Sequence, residues 1–122
     1  MTDAAPPEFV YRIITAEDWA DALESGVVAY AEIDKRDGFL HLSTREQALE
    51  TAAIHFSGRK NLLALEIPFE AIFAAVKFEP APGRGGVLFP HLYGSLAARH
   101  VARAIPLLEN DDGSFRFGEA ES

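Results

Sequence analysis

Apolar and polar positions alternate along this chain in short runs, and two segments shift to helical spacing. Phe9-Val10-Tyr11-Arg12-Ile13-Ile14 is rich in β-branched and aromatic side chains and predicts a first strand. From Thr15 the period changes. Thr15 and Asp18 stand as a capping pair, Trp19, Ala22 and Leu23 form an apolar stripe, and Gly26 falls just past the helix end. Residues 27–33 read as a second short extended stretch running to the turn dipeptide Asp37-Gly38. Behind that turn Phe39-Leu40-His41-Leu42 alternates like a strand and breaks into a helix at Ser43. Ser43 with Glu46 predicts a capping box. Ala48, Leu49, Ala52, Ala53 and Phe56 then recur at helical spacing as far as Gly58.

The run 62–67 is almost continuously apolar, as a buried central strand requires, and Pro68 stops it. A short helix over 71–75, a strand over 76–78, a glycine-rich loop over 79–86 and a strand over 88–92 follow. A turn or short helix over 95–99, a strand over 101–107 and a hairpin strand over 114–117 complete the pattern. The elements predict a mixed α+β domain with one twisted sheet and two principal helices. Residues 1–8, with Pro6-Pro7, are expected to be a flexible N-terminus, 9–118 one globular domain, and 119–122 a flexible C-terminus.

Composition narrows the chemistry. The 122 residues contain no cysteine, which excludes disulfides, thiolate nucleophiles and cysteine-ligated metals. Nineteen acids against 11 basic residues give a net charge of -8, which argues against nonspecific nucleic-acid binding. The start of the chain lacks the basic flank and apolar core of a signal peptide, and no apolar run approaches the roughly 20 residues of a membrane span. The expected setting is the cytoplasm with no membrane partner, and a small-molecule or nucleotide ligand is the partner class left open. Four histidines include no HExxH phrase and no i,i+4 pair, so no metal is expected.

Two phrases carry the candidate chemistry: Phe39-Leu40-His41-Leu42-Ser43-Thr44 and Phe89-Pro90-His91-Leu92-Tyr93-Gly94. Their shared apolar-His-Leu core predicts that His41 and His91 meet in one polar cleft as acid–base or hydrogen-bonding groups. A strand running straight into a helix leaves unpaired N–H groups that suit an anion. Glu66 is an acid in a buried strand, a position that needs a partner or a function. Each residue also has a plainer use: His41 as a half-buried strand residue, Ser43 as a cap, Arg12 as the partner of an acid.

The same two phrases, with Tyr11-Arg12-Ile13, Trp19, His55-Phe56 and Glu66, resemble the small bacterial proteins catalogued as domain of unknown function 952 over about residues 9 to 108. The resemblance implies an ADP-ribosyltransferase-like fold: a split, mixed sheet whose cleft holds NAD in enzymes of that class. On that likeness Tyr11 and Arg12 end a cleft strand, Ser43 and Thr44 wall a nicotinamide pocket, and Tyr93 adds a stacking face. Such enzymes carry an acid in their third phrase, whereas Phe89 to Tyr93 has none. His41, Glu66 and His91 are therefore the candidate catalytic groups. Tyr11, Arg12, Ser43, Thr44 and Tyr93 are the candidate ligand contacts, and NAD is the candidate cofactor. Two readings stay open: a relative of NAD-dependent transferases, or a non-catalytic binding or regulatory module that keeps the fold.

Overall fold

The computed structural model describes residues 6–119. Its elements in chain order are β1 (Phe9–Thr15), α1 (Ala16–Ser25), β2 (Val27–Val28), α2 (Glu32–Asp37), β3 (Leu40–His41), α3 (Arg45–Phe56) and β4 (Leu62–Pro68). Then come β5 (Val76–Pro80), β6 (Leu88–Leu92), β7 (Leu96–Ala97), β8 (Arg103–Glu109) and β9 (Phe115–Phe117). Single 3₁₀ turns at Phe69–Ala71 and Phe73–Ala75 stand where one short helix is predicted, and a third at Ala98–His100 follows β7. Residues 1–5 and 120–122, most of the two ends expected to be flexible, lie outside the described residues. Glu8 is docked, its carbonyl accepting from Phe69 N at 2.9 Å.

The strands form a four-stranded sheet in the order β1-β4-β8-β9, a three-stranded sheet in the order β3-β6-β5, and a two-stranded ribbon of β2 and β7. One bridge joins the two larger sheets: Tyr11 N donates to Ser43 O at 2.7 Å and Ser43 N to Tyr11 O at 2.8 Å. The sheet is thus split between β1 and β3, with the two halves still side by side. Every pairing among the described strands is antiparallel, so the expectation of a mixed sheet is corrected. Long connections are present, as from β1 through three helices to β4, but each returns its strand antiparallel to its partner.

Two apolar layers sandwich the larger sheet. Ala48 and Ala52 of α3 pack on Ile13, Ala64, Leu62 and Ile105. On the other face Val10, Ile14, Leu65 and Ile67 meet Ala22 of α1 together with Leu40, Leu42, Leu92 and Leu96. The small alanines let α3 lie close to the sheet. α1 has its Thr15 cap, whose hydroxyl accepts from Asp18 N at 3.1 Å, and ends at Gly26 in the left-handed region (φ 89°). Its inward stripe is Trp19 and Ala22; Leu23, expected to join it, is 61% exposed.

The expected extended stretch over 27–33 ends after two residues, and an irregular link over 29–31 leads into α2. Asp34 makes this helix possible. Its Oδ2 accepts Ala31 N at 2.7 Å and its carbonyl accepts Gly38 N at 2.8 Å, closing both ends of a six-residue helix.

Candidate functional site

The turn after α2 sends the chain back along β3, and β3 pairs with β6 so that His41 lies directly opposite His91. Alternation puts Phe39 on the same side as His41, and Tyr93 and Phe89 on the same side as His91. The two imidazole centroids are 5.7 Å apart. Phe39 stacks on His91 at 4.0 Å and 18°, and touches His41 at 4.6 Å and Tyr93 at 5.2 Å. The two sequence phrases form one cluster.

Each imidazole is tied through Nδ1 to a carboxylate. His41 Nδ1 is 2.7 Å from Asp34 Oδ1, and its Nε2 is 2.9 Å from Asp37 Oδ2. A carboxylate accepts only, so both contacts are satisfied together when both ring nitrogens carry hydrogen. His91 Nδ1 is 2.8 Å from Glu79 Oε1, and Tyr93 donates its hydroxyl to the same oxygen at 2.6 Å. The Nε2 of His91 makes no hydrogen bond among the described residues, and the residue is 4% exposed. Those two bonds, the one from Tyr93 leading, hold the Glu79 carboxyl below its ordinary range, and the bond to Glu79 raises the Tyr93 phenol. Arg36, then His41, draws the Asp37 carboxyl down to about 2 against its desolvation.

Asp34 is the hub behind His41. It is fully buried and accepts from Arg12 Nη1 (3.0 Å), Arg12 Nη2 (2.5 Å), Ala31 N (2.7 Å), His41 N (3.1 Å) and His41 Nδ1 (2.7 Å). Burial alone pushes its carboxyl up. The hydrogen bonds from His41 and Arg12 outweigh burial and hold it well below the usual carboxylate range. Arg12 is 8% exposed and also donates to His41 O at 3.1 Å, so its charge is spent on Asp34 and on orienting β3. Arg12 thus takes the plainer of its two expected uses, as the partner of an acid.

Ser43 and Thr44 take different roles from those predicted. Both backbone groups of Ser43 bond to Tyr11, which keeps Ser43 extended, and the cap moves one residue on to Thr44. Gln47 Oε1, in place of Glu46, accepts Thr44 N at 3.0 Å. The Ser43 hydroxyl, 2% exposed as a residue, donates to Thr51 Oγ1 at 3.1 Å and lies between the cleft and α3.

Glu66 and Tyr11 stand apart from the histidines. Tyr11 donates to Glu66 Oε2 at 2.8 Å, Arg103 closes on Glu66 at 2.7 and 2.9 Å, and Arg45 donates to Tyr11 Oη at 3.3 Å. Arg103 lowers the Glu66 carboxyl, and burial raises the Tyr11 phenol. Neither residue contacts His41 or His91, so the expectation that Glu66 and Tyr11 share their cleft is corrected: both are held in an ionic cluster at the start of α3. Glu66 is the buried acid that needed a partner, and it has two.

The 81–87 loop and α3 flank the cleft. Arg84 stacks over Phe89 at 4.4 Å and donates to Glu50 Oε1 at 2.9 Å. His55, on the same helix, has its imidazole lowered by desolvation and then by the positive charges of Arg84 and His41. No group of three or more His, Asp or Glu side chains among the described residues is placed to hold a metal ion. A separate open groove of about 410 Å³ lies at the far end of β4 and β8, lined by Arg59, Lys60, Leu63 and Pro106 among others, and holds none of the histidines.

The model of the family described as "Protein of unknown function (DUF952)" matches residues 13–104. The chain belongs to this family. The matched span takes in Asp34, His41, Glu79 and His91 and begins just after Arg12. A crystal structure of protein CC0527 from Caulobacter crescentus is similar to this chain at 38% identity. It covers 88% of this chain and 93% of its own, with a TM-score of 0.81. A solution NMR structure of CC0527 gives the same identity, covers 88% and 90%, and has a TM-score of 0.77. No curated protein matches the chain.

Proposed function

We propose that this DUF952 chain binds a small ligand with a planar ring, NAD or a nucleotide-like molecule, against the His41–His91 face of the three-stranded sheet. One observation carries the reading: two imidazoles pair across β3 and β6, each fixed through Nδ1 to a carboxylate. Apolar side chains at positions 41 and 91 would pack there without the desolvation of two imidazoles. Phe39 and Tyr93 supply stacking faces beside the pair. The split between β1 and β3 agrees with the ADP-ribosyltransferase-like likeness, which is where the proposal of NAD comes from.

In this reading His91 is the acid–base group, working through Nε2, with Glu79 holding its ring and tautomer. His41 is a hydrogen-bonding wall, and Arg12 with Asp34 positions it. Glu79 also stands where the Phe89 to Tyr93 phrase lacked an acid, contributed by the neighbouring strand. The second reading, a binding or regulatory module without transfer chemistry, draws on a specific observation: Phe39 covers one face of His91, and Asp37 occupies His41 Nε2.

Thermal shift with NAD, ADP-ribose and nicotinamide, followed by chromatography for released nicotinamide, tests both. A ligand that binds the native state raises its melting temperature. Binding in the wild type that is lost in His91→Gln supports the site, and nicotinamide release then separates the enzyme from the module. Equal shifts in wild type and His91→Gln would place the ligand elsewhere.

A further inference from the structure

Arg84 differs from the other well-covered arginine of the chain. The guanidinium of Arg12 closes with both nitrogens on a fully buried carboxylate. The side chain of Arg84 is nearly as covered, 11% exposed, yet its carboxylate partner Glu50 is 70% exposed and is held by one hydrogen bond, from Nη2 at 2.9 Å. A guanidinium offers five N–H donors. Among the described residues only Nη2 is engaged, with Glu50 and, at 3.5 Å, with Thr51 Oγ1. The remaining donors are not among the sealed, unpaired polar atoms, so solvent or a ligand reaches them.

The hydroxyls beneath add to this. Thr51 Oγ1 accepts from Ser43 Oγ at 3.1 Å and from Arg84, so its own hydrogen is free for a further acceptor. Guanidinium and hydroxyl therefore converge with more donors than acceptors, beside an imidazole, His55, that feels the charge of Arg84. Phe89 holds the guanidinium carbon 4.4 Å from its ring centroid. The backbone presents it from between Gly83 (φ 74°) and Gly85 (φ 69°), left-handed positions that turn the loop back over α3.

We propose that Arg84 and Thr51 form a phosphate-binding subsite at the rim of the cleft, in which Glu50 occupies the guanidinium until a phosphate group replaces it. A phosphate ester brings several acceptor oxygens to this surplus of donors and exchanges one exposed carboxylate for a doubly charged group. The proposal deepens the reading above and rests on the same cleft being the ligand site. It assigns the anionic part of the ligand to Arg84 and not to the candidate contact Arg12, whose charge is paired with Asp34.

Pyrophosphate alone is the probe, titrated at constant ionic strength and followed by amide NMR. The expected result is saturable shifts at Thr51 and residues 83–86, matched by no equal effect of sodium chloride. Arg84→Ala weakens binding by roughly tenfold or more, as loss of charge-assisted bonds does. Glu50→Gln strengthens it, because the competing charge is gone; a merely structural Arg84–Glu50 pair gives no such gain. Should Arg84→Ala fold poorly, Arg84→Lys, with its charge kept and its fork lost, gives intermediate affinity. Unchanged affinity in both Glu50→Gln and the folded Arg84 variant, or shifts confined to other residues, overturns the proposal. Pyrophosphate binding here without NAD binding would sink only the nucleotide reading, and NAD binding that ignores Arg84 and Glu50 would sink only this one.

Discussion

Asp34 shows how much one side chain can organise. It caps the start of α2, neutralises Arg12 and orients His41, all from a position with no exposure. Removing one partner of such a buried pair leaves a charge uncompensated, at a cost of about 3–5 kcal/mol. Arg12→Ala is expected to lose that much in urea unfolding; a loss under about 1 kcal/mol would contradict the pairing. The same residue sets an acid limit. Its folded-state carboxyl lies below the ordinary 3.8, so its contribution is fully present above that value and drains away as pH falls toward the folded value. Stability measured from neutral pH downward should fall steeply below about pH 4, and Asp34→Asn, less stable at neutral pH, should show a shallower slope there. Sequence pattern did not reveal Asp34, because an acid beside Ile33 and Lys35 looks solvated. The available signal was its place three residues after Ala31, the N3 position of a helix too short to show periodicity. Glu79 was legible only if β5 ran on to Pro80, since it then becomes the diagonal neighbour of His91 across β6.

At the scale of elements, the strong patterns and several short strands, β6 and β9 among them, stand where the sequence puts them, and the departures are local. β1, β4, α1 and α3 stand close to where alternation, continuous apolarity and helical spacing put them. α2 was read as extended, and the start of α3 was read one residue early. The second error has a definite cause: the bridge to Tyr11 claims both backbone groups of Ser43, which forces the cap onto Thr44. A direct contrast follows. Gln47→Ala removes the bond to Thr44 N and another from Nε2 to Leu88 O at 2.7 Å, and should cost about 1 kcal/mol or somewhat more. Glu46→Ala, the change the sequence alone marks as damaging, should stay within about 0.5 kcal/mol. The opposite order in chemical denaturation would restore Ser43 as the cap.

Across the whole molecule, the split sheet is held less by its backbone bridge than by the core that crosses it. Val10, Ile14, Leu65 and Ile67 from one half and Leu40, Leu42 and Leu92 from the other belong to the same buried cluster. The two halves should therefore unfold together: far-UV and near-UV signals are expected to give coincident transitions, and separated midpoints would show independent halves. That shared core also explains why the cleft side chains converge. Burying Leu40, Leu42 and Leu92 inward turns Phe39, His41, His91 and Tyr93 to the opposite face. Sequence showed this convergence through repeated apolar-His-Leu phrases. It could not show that Glu66 and Tyr11 lie with Arg103, because nothing local marks which arginine will stand opposite Glu66 on β8, four strands later in the chain. The claim at the centre is that the His41–His91 face is the ligand site, and amide NMR titration with NAD and ADP-ribose tests it most directly. Shifts concentrated at residues 39–43, 51 and 84–93, absent in His91→Gln, are the expected result. No shift at millimolar ligand, or shifts gathered at Arg59, Lys60 and Leu63 in the groove beyond β4, would contradict it.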